Sequence, residues 1–132
     1  HLTGNHTQNH LDGWKTSTSS YLADIAEASA NIETKLFRPP YGRIKRLQAR
    51  GIANAMNNKS AKIVMWDVLS GDFDESVSKE KCLKNVIENT TNGSIIVFHD
   101  SEKAFPKIEH VLPLILQFFA EKGYTFRSFD IK

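Results

Sequence analysis

Two histidines four residues apart head the short set of side chains in this sequence that could carry chemistry. They stand in Gly4-Asn5-His6-Thr7-Gln8-Asn9-His10. On a helix, positions i and i+4 share one face and lie about 6 Å apart along the axis. Both imidazoles could then reach one divalent ion. Two ordinary polar histidines near a helix start would look the same. A catalytic zinc site also needs a third protein ligand and an open position, and this stretch alone identifies no third ligand.

Three further stretches put polar groups at the ends of apolar runs. In Phe37-Arg38-Pro39-Pro40-Tyr41-Gly42 the prolines fix the backbone and the glycine permits a tight exit. A backbone amide in such a turn can be aimed at developing negative charge without reorganising. Arg38 adds a permanent cation whose planar fork can hold a carboxylate. The segment Trp66-Asp67-Val68-Leu69-Ser70-Gly71-Asp72-Phe73-Asp74 brings three carboxylates and two aromatics. Asp67 and Asp74 read as turn formers. In Ile96-Val97-Phe98-His99-Asp100-Ser101 the most apolar run ends on a histidine, where burial and a carboxylate neighbour could set its protonation. Singly, each stretch also has a plain structural reading: a turn with a surface arginine, an acidic loop, a hydrogen-bonded histidine at a core edge.

Hydrophobic spacing defines the elements that must position these groups. Tyr21, Leu22, Ile25, Ala28 and Ile32 predict a helix over 18–32, after a run of serine and threonine suited to capping. Leu36-Phe37 reads as a short strand that stops at Pro39-Pro40. Ile44 to Met56 predicts a helix broken or bent near Gly51, and residues 62–66 predict a buried strand. A helix over 78–90 turns Cys82, Val86 and Ile87 inward. Asn92-Gly93 marks a turn into a strand over 94–98. A helix over 105–121 ends near Gly123, which suits a C-cap, and 124–126 is a last strand candidate. This alternation predicts parallel βα units in one α/β domain spanning 1–132. Reactive groups of such folds sit at the C-terminal ends of the strands, which puts Asp72 and His99 at the same end.

Composition narrows the function classes. With 132 residues, 40% hydrophobic and 24% charged, the chain matches an ordinary globular domain with one core. Its 17 basic and 15 acidic residues leave a net charge of +2, which gives no electrostatic case for nucleic acid. Arg43, Lys45, Arg46 and Arg50 read as a solvated helix face. The lone Cys82 excludes an intramolecular disulfide and a multi-cysteine zinc site, and its apolar setting predicts a buried, inert thiol. No run approaches the roughly 20 apolar residues of a membrane span, and no signal peptide is visible. The first residues read as the middle of a motif, so the natural start is expected upstream of His1.

Together and in this order, the four stretches resemble the second to fifth motifs of carbohydrate esterase family 4, the polysaccharide deacetylases. The resemblance covers the chain essentially from end to end. It implies a distorted (β/α) barrel with parallel strands, fewer than the usual eight. It implies a divalent metal, zinc above all, held by one Asp and two His. His6 and His10 match the histidine ligands, and Arg38 matches the arginine that orients the catalytic-base Asp. Tyr41 matches the residue whose backbone N–H holds the oxyanion. Asp72 matches the acid that orients and charges the catalytic histidine, and His99 matches the general acid. Phe73 stands where the family often has tryptophan and keeps an aromatic pocket wall. Val97 replaces the usual leucine of the acetyl-methyl pocket, and the resemblance implies a substrate-pocket place for Trp66 as well.

The family's first motif, an Asp-Asp pair that supplies the base and the third ligand, normally precedes Gly-Asn-His. It is expected beyond His1, together with the first strand of the barrel. The 132 residues alone are therefore expected to be inactive until an upstream segment or another chain completes them. The implied activity is hydrolysis of N-acetyl or O-acetyl groups on an acetylated polysaccharide or oligosaccharide, such as peptidoglycan or a chitin-like polymer. That substrate class implies a bacterial cell wall, envelope or secreted setting. Two other readings stay open: a hydrolase of small amides or cyclic imides with the same fold, and a non-catalytic carbohydrate-binding remnant.

Overall fold

Short polar side chains set where the helices begin. In a computed structural model, which describes residues 1–129, α1 spans Thr18–Ser29 and the Ser17 hydroxyl accepts the Ser20 N–H at 3.1 Å. The helix ends three residues short of the expected boundary, because the Ala30 and Asn31 amides turn back onto Glu27 and Ala28. Helix α2 spans Arg46–Ala55, with the Gln48 side chain accepting the Lys45 N–H. Gly51 does not break it. A Cβ there would meet Leu22 Cδ1 at 2.4 Å, so this glycine permits the close approach of α1 and α2. Helix α3 spans Lys79–Asn89 behind a Ser78 cap, and α4 spans Phe105–Glu121.

Helix α4 ends in a Schellman motif. The Gly123 amide (φ 80°) donates to Ala120 and the Tyr124 amide to Phe119, and the Phe119 and Tyr124 rings meet at 5.0 Å. This arrangement overturns the strand expected over 124–126. The Tyr124 N–H is spent on the helix, and no strand forms there among the described residues.

The strands are short and parallel. β1 (Leu36–Phe37) pairs with β2 (Lys62–Ile63), and Asn5 forms a further parallel bridge to Phe37. β3 (Val68–Leu69) pairs with β4 (Ile96–Val97). The strand expected over 62–66 is thus only two residues long, and both are exposed rather than buried. Val64 makes the last ladder bond, to Phe37. Beyond it Pro39 and Pro40 offer no N–H, and pairing stops.

The described residues fall into two compact units, His1–Met65 with Ser128 and Phe129, and Trp66–Arg127. In the first, Tyr21, Ile25, Phe37, Ile52 and Met56 form the core. In the second, Val68, Cys82, Val86, Val111, Ile115 and Phe119 do so. Each such side chain contributes about 1.5–3 kcal/mol by burial. Cys82 is fully buried. Burial, then the nearby Asp72 charge, push its thiol above the ordinary range, which fits an inert core residue. No helix among the described residues is long and apolar enough to cross a membrane.

Candidate active site

The first unit holds its two histidines on a loop, where the spacing predicted a helix. Asn5 anchors the loop from its start: fully buried, it bridges Phe37 and donates from its side chain to Ile25 O and Ser29 Oγ. Its Oδ1 accepts the Thr7 N–H at 2.9 Å. Asp24 anchors the other end from α1, accepting the Gln8 and Asn9 amides and the Asn9 side chain at 2.6–3.1 Å. The chain reverses with positive φ at Thr7 (65°) and His10 (53°). Side-chain anchors of this kind replace the helical ladder.

His6 and His10 nevertheless end up adjacent, with ring centres 5.0 Å apart at 69°. Two imidazoles bound to one tetrahedral zinc at about 2.1 Å have centres about 5 Å apart, so the spacing suits a shared ion. His6 Nδ1 donates to Arg38 O at 2.6 Å, which leaves the lone pair on Nε2. A ring N–H fixed on a carbonyl is how ligand histidines are usually oriented. His10 Nδ1 lies 3.3 Å from the Tyr41 hydroxyl. The pair fits an ion on one side only. Among the described residues, no group of three His, Cys, Asp or Glu is placed to hold one.

The Pro-Pro turn follows β1 directly. Arg38 Nε donates to Val64 O at 3.2 Å, and burial draws the guanidinium below its ordinary value, although it stays a cation. Tyr41 sits at φ 58°, ψ 8°, a left-handed conformation that costs a non-glycine residue about 1 kcal/mol or more. The Gly42 and Arg43 amides bond back to Pro39 and Pro40. No described residue accepts the Tyr41 N–H. Strain plus an unsatisfied donor in a rigid turn suits an anion-binding amide.

The second unit carries the acid and its ring. Asp72 follows β3, a strand the sequence reading did not include, and His99 follows β4. The parallel pairing of β3 with β4, rather than of a strand over 62–66, brings both to the same strand ends. Asp72 is 0% exposed. Its Oδ2 accepts the His99 backbone N–H at 2.6 Å, and its Oδ1 lies 2.8 Å from His99 Nδ1. Ser70 Oγ donates to the same Oδ1 at 2.9 Å. The carboxylate thereby holds the ring and its backbone together, with a proton on Nδ1 and Nε2 left out of this bond. Phe73 packs against His99 at 4.7 Å. Val97 is buried on β4. Trp66 is half-buried ahead of β3. Asp74 is the turn former expected, taking both the N–H and hydroxyl of Ser76, and Asp67 ties β3 to the Ile95 N–H.

The fold matches a known set of structures. The family 4 carbohydrate esterase from Streptomyces lividans, solved with acetate, superposes with a TM-score of 0.73 and 25% identity, over 92% of this chain and 62% of that one. The chain has the fold of the family 4 carbohydrate esterases. Its curated relatives include deacetylases. Chitin deacetylase 2 of Saccharomyces cerevisiae is 31% identical over 113 residues, 76% of this chain and 35% of that protein. The peptidoglycan-N-acetylglucosamine deacetylase of Bacillus cereus is 26% identical over 132 residues, 96% of this chain and 60% of that protein. A family 4 pseudoenzyme from Bacillus anthracis shares the fold, with a TM-score of 0.76 at 20% identity over 92% of this chain and 42% of that one. The chain spans between 20% and 60% of the length of these and other curated relatives. No family model matches it.

Several residues that hold these side chains in place escaped the sequence reading. Asp24 carried a signal: a carboxylate on the same helical face as Tyr21, Ile25 and Ala28 must have partners. Ser70 and Lys107 carried none. The Lys107 ammonium donates to the Asp72 carbonyl at 3.3 Å and also to that of Asp74, clamping the turn that bears Phe73. The basic cluster is not one solvated face. Arg46 and Arg50 lie exposed on α2, while Arg43 pairs with Asp12 at 2.6 Å and Lys45 bonds Thr16 O.

Asp24→Ala is expected to lower stability by about 2 kcal/mol, because three loop donors lose a charged acceptor. Burial raises the Asp24 carboxyl, but hydrogen bonds from Asn9, Gln8 and Thr7 outweigh it and hold the group below its ordinary 3.8. Its contribution is therefore full above that value and fades as pH falls through the lower folded value. Urea denaturation of wild type and variant at neutral and acid pH reads both effects. A difference under about 0.5 kcal/mol at neutral pH would mean that Asp24 does not hold the histidine loop.

Proposed function

We propose that residues 1–132 belong to one deacetylase domain that hydrolyses N-acetyl, or O-acetyl, groups of a polysaccharide of the peptidoglycan or chitin type. His6 and His10 supply two ligands to a divalent ion, with zinc the best match to two imidazoles. When bound, such an ion polarises a carbonyl and makes water acidic. In its doubly protonated form His99 hands the Nε2 proton to the leaving nitrogen and keeps the Nδ1 proton on Asp72, whose buried carboxylate orients the ring as in other Asp–His pairs. The Tyr41 N–H donates to the oxygen that becomes negative. Arg38 presents a fork able to hold a carboxylate base. Phe73 and Val97 offer apolar surface for the acetyl group, and Trp66 a further aromatic wall.

The single observation that carries this reading is the bond from the buried Asp72 carboxylate to His99 at the ends of two paired parallel strands. A carbohydrate-binding remnant is the second reading, favoured by the pseudoenzyme among the structural neighbours. The simultaneous presence of His6, His10, Asp72 and His99 favours the enzyme. The test is to incubate the intact protein with acetylated chito-oligosaccharides and peptidoglycan fragments, following acetate and new primary amines together. Equal yields of the two are expected for an N-deacetylase, and acetate without amine marks an O-deacetylase. Saccharide binding with no acetate from any substrate would leave the remnant.

A further inference from the structure

Two large aromatic rings in the first unit stand in water on a rigid support. Trp14 is 62% exposed and Tyr41 59%. The Arg43 guanidinium lies over both rings, 5.2 Å from the Trp14 centre and 5.7 Å from that of Tyr41. It is fixed there by Asp12 at 2.6 Å. Tyr41 in turn meets His10 edge-on at 4.8 Å. A continuous row thus runs His6, His10, Tyr41, Arg43, Trp14, from the candidate metal ligands outward.

The loop under Trp14 has no freedom to collapse. Gly13 is buried, and a Cβ on it would lie 2.3 Å from Arg43 O and 2.9 Å from Gln48 Oε1. The buried Gln48 side chain donates to Gly13 O and Thr16 O. The Trp14 amide is held by the Asp12 carboxylate. Exposed tryptophan gains nothing for folding from such anchoring, whereas a pre-positioned aromatic face beside a cation is suited to a flat ligand with both C–H and hydroxyl groups. A pyranose ring has both: axial C–H groups for the indole and hydroxyls for the guanidinium.

We propose that Trp14, Arg43 and Tyr41 form a glycan subsite that binds a sugar ring neighbouring the acetylated one, so that the protein favours oligomers over single sugars. The inference rests on the deacetylase reading for the identity of that neighbour, but binding can be measured without turnover. Calorimetric titration of the intact protein with N-acetylglucosamine oligomers of increasing length reads it. Wild type is expected to gain affinity with length, and Trp14→Ala to lose about tenfold on the longer oligomers. Trp14→Phe should retain most of the gain. Thermal melting separates loss of binding from loss of fold. Should Trp14→Ala prove unstable, Trp14→Leu, with bulk but no ring face, carries the same comparison. Equal affinities of wild type and the ring-less variant at every length overturn the subsite even if acetate is released. Trp14-dependent binding without acetate release would keep the subsite and remove the deacetylase instead.

Discussion

Replacing His99 by alanine is expected to cut turnover on N-acetylated saccharides by about 10²–10⁴-fold, the usual worth of a positioned proton donor. The amine is a poor leaving group, and the ring that would protonate it is held by Asp72 through both its backbone N–H and Nδ1. Metal affinity should change little, since the residue acts on the leaving group. Para-nitrophenyl acetate sharpens the test because its leaving group departs without a proton, so the loss on that ester should be far smaller. Asp72→Asn should reproduce most of the effect by presenting the wrong hydrogen-bonding group to Nδ1. An equal loss on amide and ester, or a loss that tracks bound metal, would contradict the role of general acid.

Replacing His6 or His10 by alanine should have a different signature. Outer-sphere partners of metal ligands are worth about 10–100-fold in affinity, so removing a ligand is expected to cost more than about 100-fold. The His6 ring is pre-oriented by Arg38 O and lies 5.0 Å from its neighbour, a spacing that suits a shared ion. Zinc titration of the intact protein, followed by competition with a chromogenic chelator, measures this without reference to activity. Wild-type affinity in both variants would show that the two histidines hold no common ion.

Much of this architecture is legible in the sequence because it rests on local chemistry. Ser17, Ser78 and Gly123 punctuate helices where capping rules say they should, and α4 spans the residues expected. The approach of Asp72 to His99 was expected from strands over 62–66 and 94–98, whereas the strand that brings Asp72 there is β3, which the sequence reading missed. What fails does so for non-local reasons. Helical spacing of His6 and His10 was misleading because Asn5 and Asp24, held by partners distant in sequence, set the loop instead. Gly51 looked like a break because nothing in the sequence reveals that Leu22 lies against it. The strand over 62–66 was overestimated because its length is limited by the prolines that follow its partner. The strand expected over 124–126 was lost to a helix terminus. Ser70, Lys107 and Gln48 serve the site or its frame through bonds to distant backbone atoms, and such bonds leave no local pattern.

The measurement closest to the central claim is acetate release by chelated protein as zinc is returned. The intact protein should fall to the background rate when metal-free, as verified by elemental analysis. It should recover in proportion to added zinc, up to one ion per chain, and His6→Ala should require far more zinc for the same recovery. A metal-free protein that hydrolyses N-acetylated saccharides at the full rate would contradict the account of His6 and His10 as ligands to a catalytic ion.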